Sequence, residues 1–230
     1  MALNSRQKDI TKYLKDKGRA SVKELAGKFF VSEMTVRRDL KELESGGFIQ
    51  RYSGGAAYLG EYENMPLDSR RLMRTAEKKM IAEKTRKHLH DNMTVFIDSS
   101  STTLYIIPIL GEFKNITIVT NSIQCLIAAA KYNINCIIAG GVYYAYDMCT
   151  VGGKTNDFLR DINADVGFFS VCGLSSDGIL SDPDERQTSV RRTVMENCKV
   201  KVFLFDSEKV NKKYTYTLCR ADEVQDIIIV

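Results

Sequence analysis

Val31-Ser32-Glu33-Met34-Thr35-Val36-Arg37-Arg38-Asp39-Leu40-Lys41-Glu42-Leu43 carries apolar side chains at 36, 40 and 43. That spacing gathers Val36, Leu40 and Leu43 on one face of a helix. Ser32 supplies the short hydroxyl side chain that caps a first turn, and Gly46-Gly47 ends the run after about Ser45. Burying the apolar stripe turns Thr35, Arg37, Arg38 and Lys41 outward, where hydroxyl, guanidinium and ammonium groups suit phosphate oxygens and base edges.

Working outward, a helix is expected from Ser5 to Lys17, with Ile10, Tyr13 and Leu14 on one face and Gly18 as its stop. Ser21 can cap a second helix whose Val22, Leu25, Ala26 and Phe29 share a face, and Phe30-Val31 makes a short connection to the third. Two helices joined by a short turn, the second bearing exposed arginines, match the geometry that enters a major groove. Phe48-Ile49-Gln50-Arg51-Tyr52-Ser53-Gly54-Gly55-Ala56 follows as an apolar strand, a basic tip and a glycine turn, with Arg51 placed to reach a phosphate or the minor groove. Pattern alone leaves a second reading open, a three-helix protein-contact domain with solvated charges.

Charge sharpens the division. Residues 1–60 hold 12 Lys and Arg against 7 Asp and Glu, a net of +5, whereas the rest of the chain carries −1. A basic small domain beside a nearly neutral larger one points to a polyanionic partner for the first. The 230 residues suit one small and one medium domain. No apolar stretch approaches the ~20 residues of a membrane span, and the polar N-terminus lacks a secretory core, so a cytoplasmic protein with no membrane contact is expected. Six scattered cysteines and two histidines, without metal-ligand spacing, imply reduced thiols, no metal and no cofactor.

Residues 58–74 show no clean period and are expected to connect a domain at 1–57 to one at 75–230; Arg70, Arg71 and Arg74 are expected to be solvated there. Beyond Thr75, helices near 75–90, up to about Leu110, and near 122–132, 153–161 and 184–198 alternate with strands at 94–98, 116–120, 135–139, 166–171, 200–205 and 227–230. Short β-branched runs separated by helices predict an α/β domain with a largely parallel, Rossmann-like sheet. Such sheets bind ligands beyond the carboxyl ends of their strands. Asp98-Ser99-Ser100-Ser101-Thr102-Thr103, Asn121, Gly140-Gly141, Gly173 and Lys209 occupy those ends. The hydroxyl-rich run opening a helix suits an anion or, equally, an ordinary capped turn.

The recognition run, with Gly46-Gly47-Phe48-Ile49-Gln50-Arg51 and Gly54-Gly55-Ala56, resembles the DeoR family of bacterial regulators, whose pattern is Val-Ser-x-x-Thr-Ile-Arg-Arg-Asp-Leu-x-x-Leu and then Arg-x-His-Gly-Gly-Ala. Ser53 stands where that wing usually has histidine. The resemblance extends over nearly the whole chain. It implies a winged helix-turn-helix domain followed by an effector domain of ribose-5-phosphate-isomerase-like fold. Ser32, Thr35, Arg37, Arg38, Lys41 and Arg51 would then meet DNA. Ser99, Ser100, Ser101, Thr102 and Thr103 would cradle the phosphate of a sugar phosphate or related metabolite. Asp98, Asn121 and Lys209 would contact the sugar or fix the loops, with Gly140, Gly141 and Gly173 nearby. Three departures bear on the effector: Ser100 replaces a glycine, Tyr143-Tyr144 lie where an arginine is common, and Gln187 and Ser189 stand where glutamates are common. Tyr143, Tyr144 and Tyr146 are expected to cover the sheet or line a subunit interface.

The function expected is a repressor of a sugar or carbohydrate operon that binds double-stranded operator DNA as a homo-oligomer, dimer or tetramer, and is not an enzyme. Two other classes fit parts of the sequence. One is a sugar-phosphate isomerase with a DNA-binding head, for which Asp98, Asp177 and Lys209 offer acid–base groups; the other is an architectural DNA binder without an effector.

Overall fold

A computed structural model describes residues 3–46, 48–58, 67–71 and 74–230. The chain forms two compact units, Met1–Arg74 and Thr75–Val230, the first built on one core and the second on two.

The first unit runs α1 (Ser5–Lys17), β1 (Arg19–Ser21), α2 (Val22–Phe29), α3 (Glu33–Ser45), β2 (Ile49–Tyr52) and β3 (Gly55–Tyr58). Each helix begins at a side-chain cap: Asn4 and Gln7 form a capping box on α1, Ser21 accepts from Glu24 N, and Ser32 accepts from Thr35 N. Ile10, Leu14, Leu25, Val36, Leu40, Leu43 and Ile49 fill the core. The strands form an antiparallel sheet in the order β1-β3-β2. β1, three residues long, was not expected, because so short a strand carries no readable alternation. Asp39 faces inward, and the Arg6 guanidinium grips it with both prongs at 2.6 and 3.1 Å, tying α1 to α3.

Of the expected connector 58–74, residues 59–66, 72 and 73 lie outside the described residues, as does Gly47 in the turn after α3. The described remainder holds α4 (Leu67–Arg71), with Leu67 buried. Arg71 is exposed, and Arg70 and Arg74 are half-buried.

The second unit comprises α5 (Thr75–Lys84), β4 (Thr94–Ile97), α6 (Ile107–Leu110), β5 (Thr117–Thr120), α7 (Ile123–Lys131), β6 (Asn135–Ile138), β7 (Val142–Tyr144), β8 (Cys149–Val151) and α8 (Gly153–Arg160). It continues with β9 (Ala164–Phe169), β10 (Gly173–Leu174), β11 (Ile179–Asp182), α9 (Glu185–Glu196), β12 (Cys198–Phe205), β13 (Tyr216–Arg220) and β14 (Asp226–Ile229). Six strands make a wholly parallel sheet in the order β14-β12-β9-β4-β5-β6. Alternate residues feed two cores. Val95, Ile97, Ile118, Phe168, Val202 and Leu204 enter one, and Phe96, Val119, Phe169, Phe203 and Phe205 the other.

The expected strands and helices are all present, with boundaries shifted by a few residues. The polar helix near 75–90 is α5 followed by a 3-10 turn over Thr85–His88, and the one before Leu110 starts as a 3-10 turn at Thr103. Two features were not expected. β7 and β8 form a hairpin through the tyrosine segment, and β10, β11 and β13 form a small antiparallel sheet. Tyr143 projects into solvent, while Tyr144 lies beside Tyr146 at 6.1 Å and under the Arg186 guanidinium at 3.9 Å. Among the described residues no helix is long and apolar enough to cross a membrane. Cys125, Cys149, Cys198 and Cys219 are buried single thiols.

From β4 the chain proceeds outward through β5 to β6, then returns to β9 and proceeds the other way through β12 to β14. The reversal lies between β4 and β9, and in open α/β sheets the carboxyl ends of the strands at such a reversal are where ligands bind. Gly141, after β6, has φ +147°, and a Cβ on it would lie 2.0 Å from Thr155 Oγ1 and 3.0 Å from Val151 O, whereas a Cβ on Gly140 would meet nothing within 4 Å. Gly141→Ala is therefore expected to destabilise by about 1–3 kcal/mol and Gly140→Ala by less than about 1 kcal/mol, measured by urea unfolding. Equal losses would contradict the assignment of the turn.

Candidate functional site

On the first unit, α3 presents Met34, Arg37, Arg38 and Lys41 along one exposed face, opposite buried Val36, Leu40 and Leu43. Ser32 and Thr35 are engaged in the cap, with their hydroxyl oxygens 2.9 Å apart. Arg37 lies 3.5 Å from Glu33 one turn earlier, a loose exposed pair. Arg51 is held by Glu44, which accepts from both its Nε and its backbone N–H. Arg38 and Lys41 enter no ion pair among the described residues. Of the six residues singled out in sequence, four are therefore exposed cations, two of them engaged by carboxylates, and two form the helix cap.

On the second unit, the loop after β4, the end of β9 and α9 converge on one carboxylate. Asp98, the first residue after β4, accepts from Ser100 N, Thr103 Oγ1 and Ser170 N, each at 2.9 Å, and from Arg191 Nε at 3.0 Å. Arg191, from α9, also donates to Asp182 Oδ2 at 2.5 Å and to Ser170 O at 3.3 Å. Burial works against the Arg191 charge, but Asp182 and Asp98 outweigh it and hold its proton more tightly than usual. The triad is almost wholly enclosed. With four donors, Asp98 has the complement a carboxylate can accept. It braces the loop.

That bracing shapes the segment from Ser99 to Thr103, which is buried throughout. Ser100 turns its hydroxyl to Thr103, accepting from Thr103 N at 3.1 Å, so its side chain serves as a local cap. Ser99 Oγ donates to Gln187 Oε1 at 2.9 Å, and Gln187 Nε2 donates to Asp147 Oδ2 at 3.0 Å. The Cys149 thiol accepts from the same amide, and burial pushes its pKa up to about 11.

Two buried ammonium groups reach the loop, one from α5 and one from the turn after β12. Lys209, from the turn after β12, donates to Ser170 Oγ at 2.6 Å and to Thr102 Oγ1 at 3.3 Å, with Asp206 at 3.7 Å. Lys78, on α5, is 0% exposed and donates to Ser101 Oγ at 3.1 Å. Sequence reading missed Lys78. It sits in a lysine- and glutamate-rich helix where nothing in the pattern separates it from Lys79. At the ends of β5 and β12, Asn121 Oδ1 and both carboxylate oxygens of Asp206 are buried without a hydrogen-bond partner. Gly140 accepts from Thr155 Oγ1 at 2.8 Å, and Gly173, in β10, stands opposite Ser181 of β11. Asp177 lies in the turn between β10 and β11, engaged by Ser175 and Lys213.

Comparison with known proteins places both units. Residues 6–61 match the family described as DeoR-like helix-turn-helix domain, and residues 73–229 match the DeoR C terminal sensor domain. The chain is 32% identical over 213 residues to the glycerol-3-phosphate regulon repressor of Escherichia coli strain K12, covering 92% of this chain and 84% of that one. It is 31% identical over 224 residues to the HTH-type transcriptional regulator IolR of Bacillus subtilis strain 168, covering 97% and 89%. Among solved structures, ribose 5-phosphate isomerase A from Methanocaldococcus jannaschii superposes with a TM-score of 0.44 at 18% identity, over 59% of this chain and 54% of that one. The chain thus spans about half of that enzyme, and its sequence relatives are transcriptional regulators, not enzymes.

Removing one member of a buried ion cluster strands the others. Arg191→Met leaves Asp98 and Asp182 without their cation and is expected to cost about 3–5 kcal/mol in urea unfolding. Arg191→Lys, which keeps the charge but not the fork, should cost less. A loss below about 1 kcal/mol for Arg191→Met would show that the triad does not hold the loop.

Proposed function

This chain belongs to the DeoR family of helix-turn-helix transcriptional regulators, and from that premise we propose that it is a repressor whose operator binding is controlled by a phosphorylated sugar held at the Ser99–Thr103 loop. The observation that carries this reading is the convergence of Lys78 and Lys209 on the hydroxyls of Ser101 and Thr102. Two enclosed cations beside a row of hydroxyls favour a compact, multiply charged anion such as a phosphate. The charge comes from side chains, since α6 is a single four-residue turn with little dipole to offer.

The sugar end belongs at Asn121 and Asp206, whose oxygens accept no hydrogen bond within the protein and would accept from hydroxyl groups, Asp206 while remaining in its 3.7 Å ion pair with Lys209. Asp98 fixes the loop rather than touching the effector, because its lone pairs are already taken. Ser100 leaves the loop's shape intact, because its side chain is spent on Thr103. Operator binding falls to α3, with Arg38 and Lys41 ready for phosphate or base edges, and Arg37 and Arg51 exchanging weak surface partners for DNA. Two heads in a homodimer or higher oligomer would read paired half-sites.

Two measurements test these assignments. In a thermal-shift screen, one sugar phosphate should raise the melting temperature while its dephosphorylated sugar does not. Lys78→Gln should weaken that phosphate's binding by about 10- to 100-fold, the worth of a charge-assisted hydrogen bond. No response to any phosphate would favour an architectural DNA binder instead. Arg38→Ala should lower affinity for a duplex selected from random DNA by at least about 5-fold without altering the effector response. The reverse pattern would overturn the division of labour.

A further inference from the structure

The two most exposed large apolar side chains among the described residues are Phe30, at 94%, and Met34, at 80%. They bracket the Ser32 cap of α3. Phe30 closes α2 in a left-handed backbone conformation, φ 53°. Met34 is the second residue of α3 and shares its exposed face with Arg37, Arg38 and Lys41, at intervals of three, four and seven residues. Nothing in the core of the first unit uses Met34, which is absent from the side chains packed there.

An apolar side chain at the head of a cationic stripe faces a mixed surface. The cations fit a polyanion, and within a major groove the apolar group presented by the base edges is the C5-methyl of thymine. The flexible, polarisable thioether of methionine can follow such a methyl without a fixed geometry. Resting on the operator-binding reading above, we infer that Met34 is a specificity-determining residue that contacts a thymine methyl in each operator half-site, while Arg38 and Lys41 hold the helix in the groove. Because both the side chain and the methyl are exposed when apart, their contact discriminates thymine from cytosine and from uracil alike.

The test uses the full chain and duplexes selected by it from random-sequence DNA. Each thymine of the selected half-site is replaced in turn by deoxyuridine, which removes only the methyl, and affinity is read by fluorescence anisotropy at fixed salt. The wild-type protein should lose about 3- to 5-fold at one thymine per half-site, the worth of one buried methyl. Met34→Ala should bind the thymine and deoxyuridine duplexes equally, while Phe30→Ala should keep the wild-type dependence. Both positions are on the surface, so the variants should melt as the wild type does. Three results would overturn the inference: a wild type indifferent to every methyl, a Met34→Ala protein that still responds to one, or a selected half-site without thymine. In each of those cases the protein still binds DNA, so the operator-binding reading survives. If no duplex is enriched at all, both readings fall.

Discussion

The carboxylate of Asp98 is the point on which the sensor unit turns. It stands at the end of β4, where the strand order reverses, and gathers donors from the loop that follows, from the end of β9 and from α9. A buried carboxylate is tolerable only when paired and fully hydrogen-bonded, and Arg191 with Asp182 completes the pairing. The loop beginning at Ser99 is thereby fixed before any ligand arrives. Pre-organisation of this kind lowers the ordering cost of binding. It also couples the loop to α9 through Arg191 and to the β7–β8 turn through Gln187 and Asp147. Any effector that disturbs Ser99 must disturb those elements as well, and such a chain of contacts can bias a two-state equilibrium.

The first unit was largely legible in sequence because its signals are local. Ser21 and Ser32 are caps that announce themselves, and Val36, Leu40 and Leu43 repeat at helical spacing. β1 escaped because its sheet partner, β3, lies more than thirty residues away and three residues hold no pattern. The roles within α3 were less visible. Thr35 was expected to face outward, but its hydroxyl lies against the Ser32 cap, and Asp39 is spent on Arg6. Glu44 is likewise the unforeseen partner of Arg51, a contact between α3 and β2 that spacing does not reveal.

In the second unit the parallel sheet followed from alternating strands and helices; Asp98, the Ser99–Thr103 loop and Lys209 meet around the ends of β4 and β9, whereas Asn121 bonds towards β8, Gly140 towards α8, and Gly173 lies in β10. What sequence could not supply was long-range partnership. Lys78 is one lysine among several in a polar helix, and only the fold buries it against Ser101. Arg191 sits 93 positions from Asp98. Gln187 looked like a loss of charge, yet its amide serves as both acceptor for Ser99 and donor to Asp147, a double role open to no carboxylate. The small sheets β7–β8 and β10–β11–β13 went unread because strands of two to five residues hold too little alternation to read.

The central claim is that occupancy of the loop by a phosphorylated sugar changes affinity for DNA. It is tested most directly by titrating a labelled, selected duplex with the protein in the presence and absence of each sugar phosphate and its dephosphorylated counterpart. One phosphorylated compound should shift the DNA dissociation constant by about 5- to 150-fold, the span of ordinary allosteric coupling, and the dephosphorylated sugar should leave it unchanged. A sugar phosphate that binds the protein while DNA affinity stays constant would contradict the account. So would an equal shift from the sugar without its phosphate.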